Sequence, residues 1–283
     1  MSSWSHPDGS RVHGERWAGV GGTIVVAGAM GVPARYYRPL ATWLRQRTGA
    51  SVVVFDYRGV GASRVEPLRQ CAVTLRDWAD DLALVVRAEA MGGPVVVVGH
   101  SFGGMAYGMT DAHEVTEGLY TFATGAGWHG WMPPAEARRV RTLWWVVAPP
   151  LVAWHGLLPM EQLGMGEDLP AGVFHDWRRW SSWPRGFFDD PEATFTRHFR
   201  AVRAPVVAVN SVDDDWAPPV SAESLISHYP HASLRTVTPA QAGVSSIGHL
   251  AYVRPQCRAL WEPLGDWAEA RLGAISPPLL HAA

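Results

Sequence analysis

The 283-residue chain predicts one α/β domain, a mostly parallel sheet flanked by helices on both faces with a helical lid inserted late. Three observations predict it. Short β-branched apolar runs alternate with longer amphipathic stretches over residues 22–123. The alternation lapses over residues 128–191, where tryptophan, proline and glycine accumulate, and resumes at residues 206–209. The length suits one large core plus an insertion. Strands that alternate with helices favour parallel pairing, and runs that are apolar at every position favour burial on both sheet faces. The expected division is a core formed by residues 1–127 and 192–283, with residues 128–191 as the lid.

Each element has its own signal. Asp8-Gly9 reads as a turn opening a short N-terminal β region. Residues 22–27 form an apolar strand, followed by the loop Gly28-Ala29-Met30-Gly31-Val32-Pro33. Residues 36–47 have helical periodicity, and residues 51–55 form a second buried strand. Residues 74–90 are amphipathic, with Thr74 and Asp77 spaced as a capping box. Residues 95–98 are a strand, 104–110 a helix and 119–123 another strand. After the insertion come a strand at 206–209, a helix at 217–228, a strand at 234–238 and a final helix at 255–272.

Composition excludes several functions. The chain is 47% hydrophobic and 18% charged, as a globular domain requires. A net charge of −2 gives no electrostatic footprint for nucleic acid. All 24 basic residues are arginine, so lysine Schiff-base chemistry and a phosphate-loop lysine are both excluded. Cys71 and Cys257 fall in no CxxC pattern and read as two buried thiols of a reducing compartment, so the expected location is cytoplasmic. The polar first sixteen residues lack a signal-peptide core. The longest apolar stretch, residues 143–158, is interrupted by Pro149-Pro150 and carries His155; it reads as a surface-seeking helix pair, with no stable membrane insertion. The histidines show no metal-ligand spacing and no nucleotide fingerprint is present, so no cofactor or metal is expected. The expected partner is a small-molecule acyl substrate, with a homodimer left open.

Gly99-His100-Ser101-Phe102-Gly103 carries the chemistry. It lies between an apolar strand and a helix, so serine stands at the apex of a sharp turn whose flanking glycines relieve backbone crowding. A Gly/Ser turn would leave that context unexplained. Serine needs a base to take its proton, and the base needs a third group to orient it. In a strand-turn-helix arrangement of this kind the partners follow in the order serine, acid, histidine. Asp213, Asp214 and Asp215 follow the 206–209 strand, and His249 lies on the Gly/Ser-rich loop before the last helix. His100 reads as structural, its side chain turned elsewhere on the elbow. Two amides are needed for the oxyanion: Phe102, and one from the Gly28 loop, with Ala29 expected ahead of Met30.

These motifs, with Tyr36-Tyr37 after the Gly28 loop and residues 55–63, resemble the α/β-hydrolase superfamily over nearly the whole chain. They are most similar to its serine-aminopeptidase-like and monoacylglycerol-lipase-like branch of bacterial proteins. The resemblance implies that the acid precedes a proline by four positions, which selects Asp214 before Pro218, with Asp213 and Asp215 as runners-up. It also implies that Asp56, Arg58 and Ser63 are structural. The chain departs from the pattern in one place: Ala27-Gly28 stands where many relatives carry His-Gly, so a histidine bond across that loop is lost. The implied activity is cleavage of an ester or thioester with an apolar portion by Ser101, His249 and Asp214. Acyl transfer, cyclisation and non-hydrolytic lyase chemistry on the same fold are the alternatives.

The insertion holds Trp128, Trp131, Trp144, Trp145, Trp154, Trp177, Trp180 and Trp183. They read either as the packing of a small segment or as an aromatic wall over an acyl pocket. Arg138, Arg139, Arg141, Arg178 and Arg179 read as solvated helix faces, or as contacts for an anionic substrate group.

Overall fold

A computed structural model describes residues 1–273. The chain opens with an antiparallel hairpin, β1 (Ser2–Ser5) and β2 (Arg11–Trp17). Its turn is held by Gly9 at φ +86° and by the Asp8 carboxylate, which accepts from Ser10 N–H. There follow β3 (Thr23–Ala27), α1 (Arg38–Thr48), β4 (Ser51–Asp56), α2 (Leu75–Ala90), β5 (Val95–His100), α3 (Phe102–Gly108) and β6 (Gly118–Phe122). The chain then leaves the sheet through α4 (Pro134–Thr142), α5 (Ala148–His155), the short pair β7 (Leu157–Leu158) and β8 (Leu169–Pro170), α6 (Ala171–Trp180) and α7 (Arg197–Ala201). It returns with β9 (Val206–Ser211), α8 (Pro219–Ile226), β10 (Ala232–Val237) and α9 (Glu262–Leu272).

The main sheet has the order β1-β2-β4-β3-β5-β6-β9-β10, parallel from β4 to β10. Side chains along each strand alternate between two cores. Val25, Val53 and Val97 face one core with α2 and α3, whereas Ile24, Val52 and Val96 face the other with α1 and α9. This double burial explains the unbroken valine runs, each fully buried valine contributing ~1.5–3 kcal/mol. Because the strands run parallel, the loops after β3, β5, β6, β9 and β10 gather at one edge, where a site in such a sheet forms.

Local details mostly follow the sequence signals; α8 is two residues shorter than expected at each end and β10 begins two earlier, and three further differences stand out. The Thr74–Asp77 capping box forms, Thr74 hydroxyl accepting from Asp77 N–H and Asp77 carboxylate accepting from Thr74 N–H. Asp56 accepts from the amides of Ala34 and Ala62, while Arg58 pairs with buried Asp81, so the 55–63 segment ties loops together. The first difference is that α3 begins at Phe102, two residues earlier than expected. The second is that α4 runs into α5 through a π-helical turn at Leu143–Val147, giving one helix where the prolines suggested a pair. Pro149 and Pro150 lack an N–H for the carbonyls one turn back, on Trp145 and Val146; those residues are exposed, so water can serve. The third is that the final helix is two pieces, a 3-10 turn at Pro255–Leu260 and then α9, restarted at Glu262-Pro263.

No helix among the described residues is long and apolar enough to cross a membrane. Residues between β6 and β9 share a continuous core with the body: Val140, Leu143, Trp144, Val173 and Phe174 belong to the same apolar cluster as Val25 and Val97.

Candidate active site

Ser101 sits between β5 and α3 with φ +54° and ψ −113°, a strained conformation for a residue with a Cβ. Two glycines make room for it. A Cβ at Gly99 would lie 2.5 Å from Gly104 N, and one at Gly103 would lie 2.1 Å from the Ala27 carbonyl oxygen. The elbow is also held from β6: Ser101 N–H donates to Phe122 O at 2.9 Å, and Thr124 hydroxyl donates to Ser101 O at 2.9 Å.

The structure brings Ser101, His249 and Asp214 together from three loops at the same sheet edge. Ser101 Oγ lies 2.9 Å from His249 Nε2. His249 Nδ1 lies 3.0 Å and 3.1 Å from the two Asp214 carboxylate oxygens. Asp214 is fully buried at its side chain, and His249 is 20% exposed, so the acid is shielded while the imidazole can meet a ligand. Burial opposes ionisation of Asp214, but His249 and the amides of Ala217 and Trp216 outweigh it and hold the carboxyl below its ordinary value. Tyr252 hydroxyl adds a further donor to Asp214 at 3.2 Å while accepting from Ser211 N–H. Such a set can take a proton from serine and stabilise the imidazolium that results.

The three consecutive acids have three different surroundings. Asp213 accepts from Ser246 hydroxyl at 2.8 Å, Ile247 N–H at 2.9 Å and Gly248 N–H at 3.3 Å, clamping the segment just before His249. Its carboxyl is held low by these donors and by Ser211, against the opposing effect of burial. Asp215 is exposed. Desolvation, with Glu136 next, raises its carboxyl.

Two expectations need correction. Ala29 N–H, expected to face the oxyanion, donates to Tyr37 hydroxyl at 2.7 Å in a buried position. Met30 N–H has no acceptor among the described residues, and Met30 lines the cavity beside Ser101. His100 does not turn away from the site. Its Nδ1 lies 2.8 Å from Tyr37 hydroxyl and its Nε2 lies 2.8 Å from the carbonyl oxygen of His249. Sequence reasoning missed the supporting roles of Tyr37 and Tyr252, named Asp213 only as a runner-up acid, and read His100 only as structural. Tyr36-Tyr37 after the Gly28 loop was the one visible hint.

Ser101 and His249 open on a cavity of about 230 Å³. Leu75, Met105, Ala123 and Ala126 line it from the body; Met160, Met165, Trp177 and Trp180 line it from between β6 and β9. Trp216 and Leu250 lie at the Asp214 and His249 loops. Arg139 reaches the same space, where Glu136 binds it through two oxygens. The surface is therefore mostly apolar, with polar atoms near Ser101, His249, Ser181 and Arg139.

The parallel sheet, the serine elbow and the gathered loops define an α/β architecture with a serine-centred site. The description of the alpha/beta hydrolase family matches residues 12–257, and the chain belongs to that family. No curated protein matches the sequence. Among solved structures it is similar to a soluble variant of monoglyceride lipase from Saccharomyces cerevisiae in complex with a substrate analog (TM-score 0.67, 16% identity, 95% of this chain and 94% of that one). It is also similar to alpha/beta hydrolase domain-containing protein 10 from mouse (TM-score 0.63, 15% identity, 95% and 98%). A third is the Paleococcus ferrophilus monoacylglycerol lipase (TM-score 0.62, 14% identity, 92% and 99%). At these identities the likeness concerns the fold.

Proposed function

We propose that the protein is a serine hydrolase that cleaves a carboxylic ester or thioester with an apolar acyl part. The observation that carries this reading is the 2.9 Å contact between Ser101 Oγ and an aspartate-bound His249, at the edge of a mostly apolar cavity. Ser101 attacks the acyl carbonyl while His249 takes its proton. The N–H groups of Phe102 and Met30 receive the developing oxyanion. His249 passes the proton to the leaving group, then takes one from water, whose attack frees the acid and restores Ser101. Asp214 holds the imidazole tautomer and orientation throughout. Residues 128–191 act as the lid, its methionines and tryptophans covering the acyl chain. A cavity of about 230 Å³ lies below the usual ~300–1,000 Å³ of drug-sized sites, which favours short to medium acyl chains.

The test is intact-protein mass spectrometry after a fluorophosphonate probe, followed by a p-nitrophenyl ester and acyl-thioester series. The expected result is one label per chain in the wild type, none in Ser101→Ala, and turnover lost by on the order of a millionfold in that variant. A well-folded wild type that takes no label, or a Ser101→Ala variant that keeps full turnover, overturns the reading.

A further inference from the structure

Two loops must hold still around Ser101: the one after β3, which offers an amide to the oxyanion, and the one that carries His249. A buried chain of hydrogen bonds joins them. Ala29 N–H donates to Tyr37 hydroxyl at 2.7 Å, Tyr37 hydroxyl meets His100 Nδ1 at 2.8 Å, and His100 Nε2 meets His249 carbonyl oxygen at 2.8 Å. Neither Tyr37 nor His100 touches the cavity, and both are at most 1% exposed.

We propose that Tyr37 and His100 are a positioning pair that fixes the oxyanion loop against the His249 loop and thereby assigns the second oxyanion amide to Met30. The proposal rests on the serine-hydrolase reading and names what aligns that site.

The protons in this chain have one consistent arrangement. A carbonyl oxygen only accepts, so His100 Nε2 carries the hydrogen that faces His249 O. Neutral His100 therefore presents a lone pair at Nδ1. Tyr37 O–H donates a hydrogen bond to that lone pair, and its oxygen accepts from Ala29 N–H. Every donor has one acceptor, whereas the other neutral tautomer of His100 would set the Nε2 lone pair against the His249 carbonyl oxygen, two acceptors facing each other. A second proton on His100 would place Nδ1–H against Tyr37, and the tyrosine proton would then face Ala29 N–H. Burial, with His249 next, pushes His100 down to about 4, so the imidazole stays neutral in the working range. Burial likewise keeps Tyr37 protonated by raising its hydroxyl far above the ordinary value.

Packing supports the same role. A Cβ on Gly28 would lie 3.0 Å from the Tyr37 ring, so the glycine lets the ring fit beneath the loop. Ala27 has no side-chain donor to cross the loop, and the crossing is made by Tyr37 with His100. The consequence for catalysis is selective. Ala29 N–H is committed to Tyr37, and the loop is held so that the next amide is the unpaired one.

The experiment compares Tyr37→Phe, His100→Leu, His100→Gln and the Tyr37→Phe/His100→Leu double variant with wild type and Ser101→Ala. Steady-state kinetics on a p-nitrophenyl ester, fluorophosphonate labelling rates and urea unfolding are read for each. Gln places an acceptor and a donor at nearly the spacing of the two imidazole nitrogens. Expected are losses in kcat on the order of tenfold or more for Tyr37→Phe and His100→Leu with KM nearly unchanged. The double variant should be no worse than the weaker single, and His100→Gln should recover most of kcat. Unchanged kcat in folded Tyr37→Phe or His100→Leu, no recovery in His100→Gln, losses that multiply in the double variant, or effects confined to KM would overturn the proposal. If His100→Leu does not fold, Tyr37→Phe and His100→Gln decide alone. A wild type that neither turns over esters nor takes the label defeats the hydrolase reading instead, and is recognised before any variant is compared.

Discussion

Asp213, Asp214 and Asp215 are chemically identical in the chain and are separated only by where the β9 loop turns them. Asp214→Asn keeps the shape but removes the charge that holds His249, and kcat should fall by on the order of ten-thousandfold. Asp213→Asn removes a charged acceptor from Ile247, Gly248 and Ser246, so it should lower unfolding free energy by about 2 kcal/mol and reduce kcat by less than Asp214→Asn. Asp215→Asn should leave both within twofold, roughly the reach of an exposed substitution. Parallel urea unfolding and steady-state kinetics separate the three; an Asp215 effect as large as that of Asp214 would reverse the assignment. The Met30 amide is tested by Met30→Pro beside Met30→Ala. Loss of one oxyanion donor should cut kcat by about a hundred- to a thousandfold in the proline variant only. Equal kinetics of the two variants, both folded by circular dichroism, would remove Met30 from the mechanism.

At the scale of elements, the segment between β6 and β9 divides its tryptophans by environment. Trp144 is fully buried and Trp180 nearly so, Trp177 and Trp180 line the cavity, and Trp145 and Trp154 are exposed. Some of the insertion's tryptophans therefore serve packing, and others line the cavity. The arginines divide as well: Arg179 pairs with Asp190 and Glu192, whereas Arg139 reaches the cavity already bound to Glu136. The floor of the cavity belongs to the body. Met105, one turn into α3, is nearly buried and lines it. Met105→Ala should deepen the space, move the optimum of an ester series to a longer acyl chain, and lower stability by about 2–5 kcal/mol. An unchanged chain-length profile would place the acyl chain elsewhere.

At the scale of the whole molecule, the positions of protons bear on stability. His100 titrates near 4 in the fold, below its ordinary 6.5, because of burial and the neighbouring His249; Tyr37, Asp214 and Tyr252 are the other titratable groups that face it. Between these pH values the unfolded chain holds a proton that the folded chain excludes. The contribution is complete above pH 6.5 and is lost as pH falls toward 4, an effect of up to about 3 kcal/mol. Urea titrations of wild type and His100→Gln across this window should therefore converge toward the acid end. A difference that stays constant with pH would show that His100 takes up its proton equally in the folded and unfolded chain, and that burial does not hold it neutral.

Much of this architecture is local in origin and was legible along the chain. Valine runs mark strands buried on both faces, Thr74 and Asp77 mark a helix start, and Gly99 and Gly103 flank a serine because a Cβ at either would collide with backbone. The order serine, acid, histidine was expected from the strand-turn-helix arrangement. What the sequence could not decide concerns partners distant in the chain. The choice of Asp214 among three adjacent aspartates came only through the resemblance and Pro218, and its physical cause is how β9 is set against a loop some 35 residues later. Whether Ala29 or Met30 keeps a free amide depends on Tyr37 passing beneath the loop, and whether His100 supports the site depends on a carbonyl 149 residues away. Those outcomes turn on contacts between groups far apart in the chain. Local propensity sets the elements, but only their packing fixes which of these contacts form.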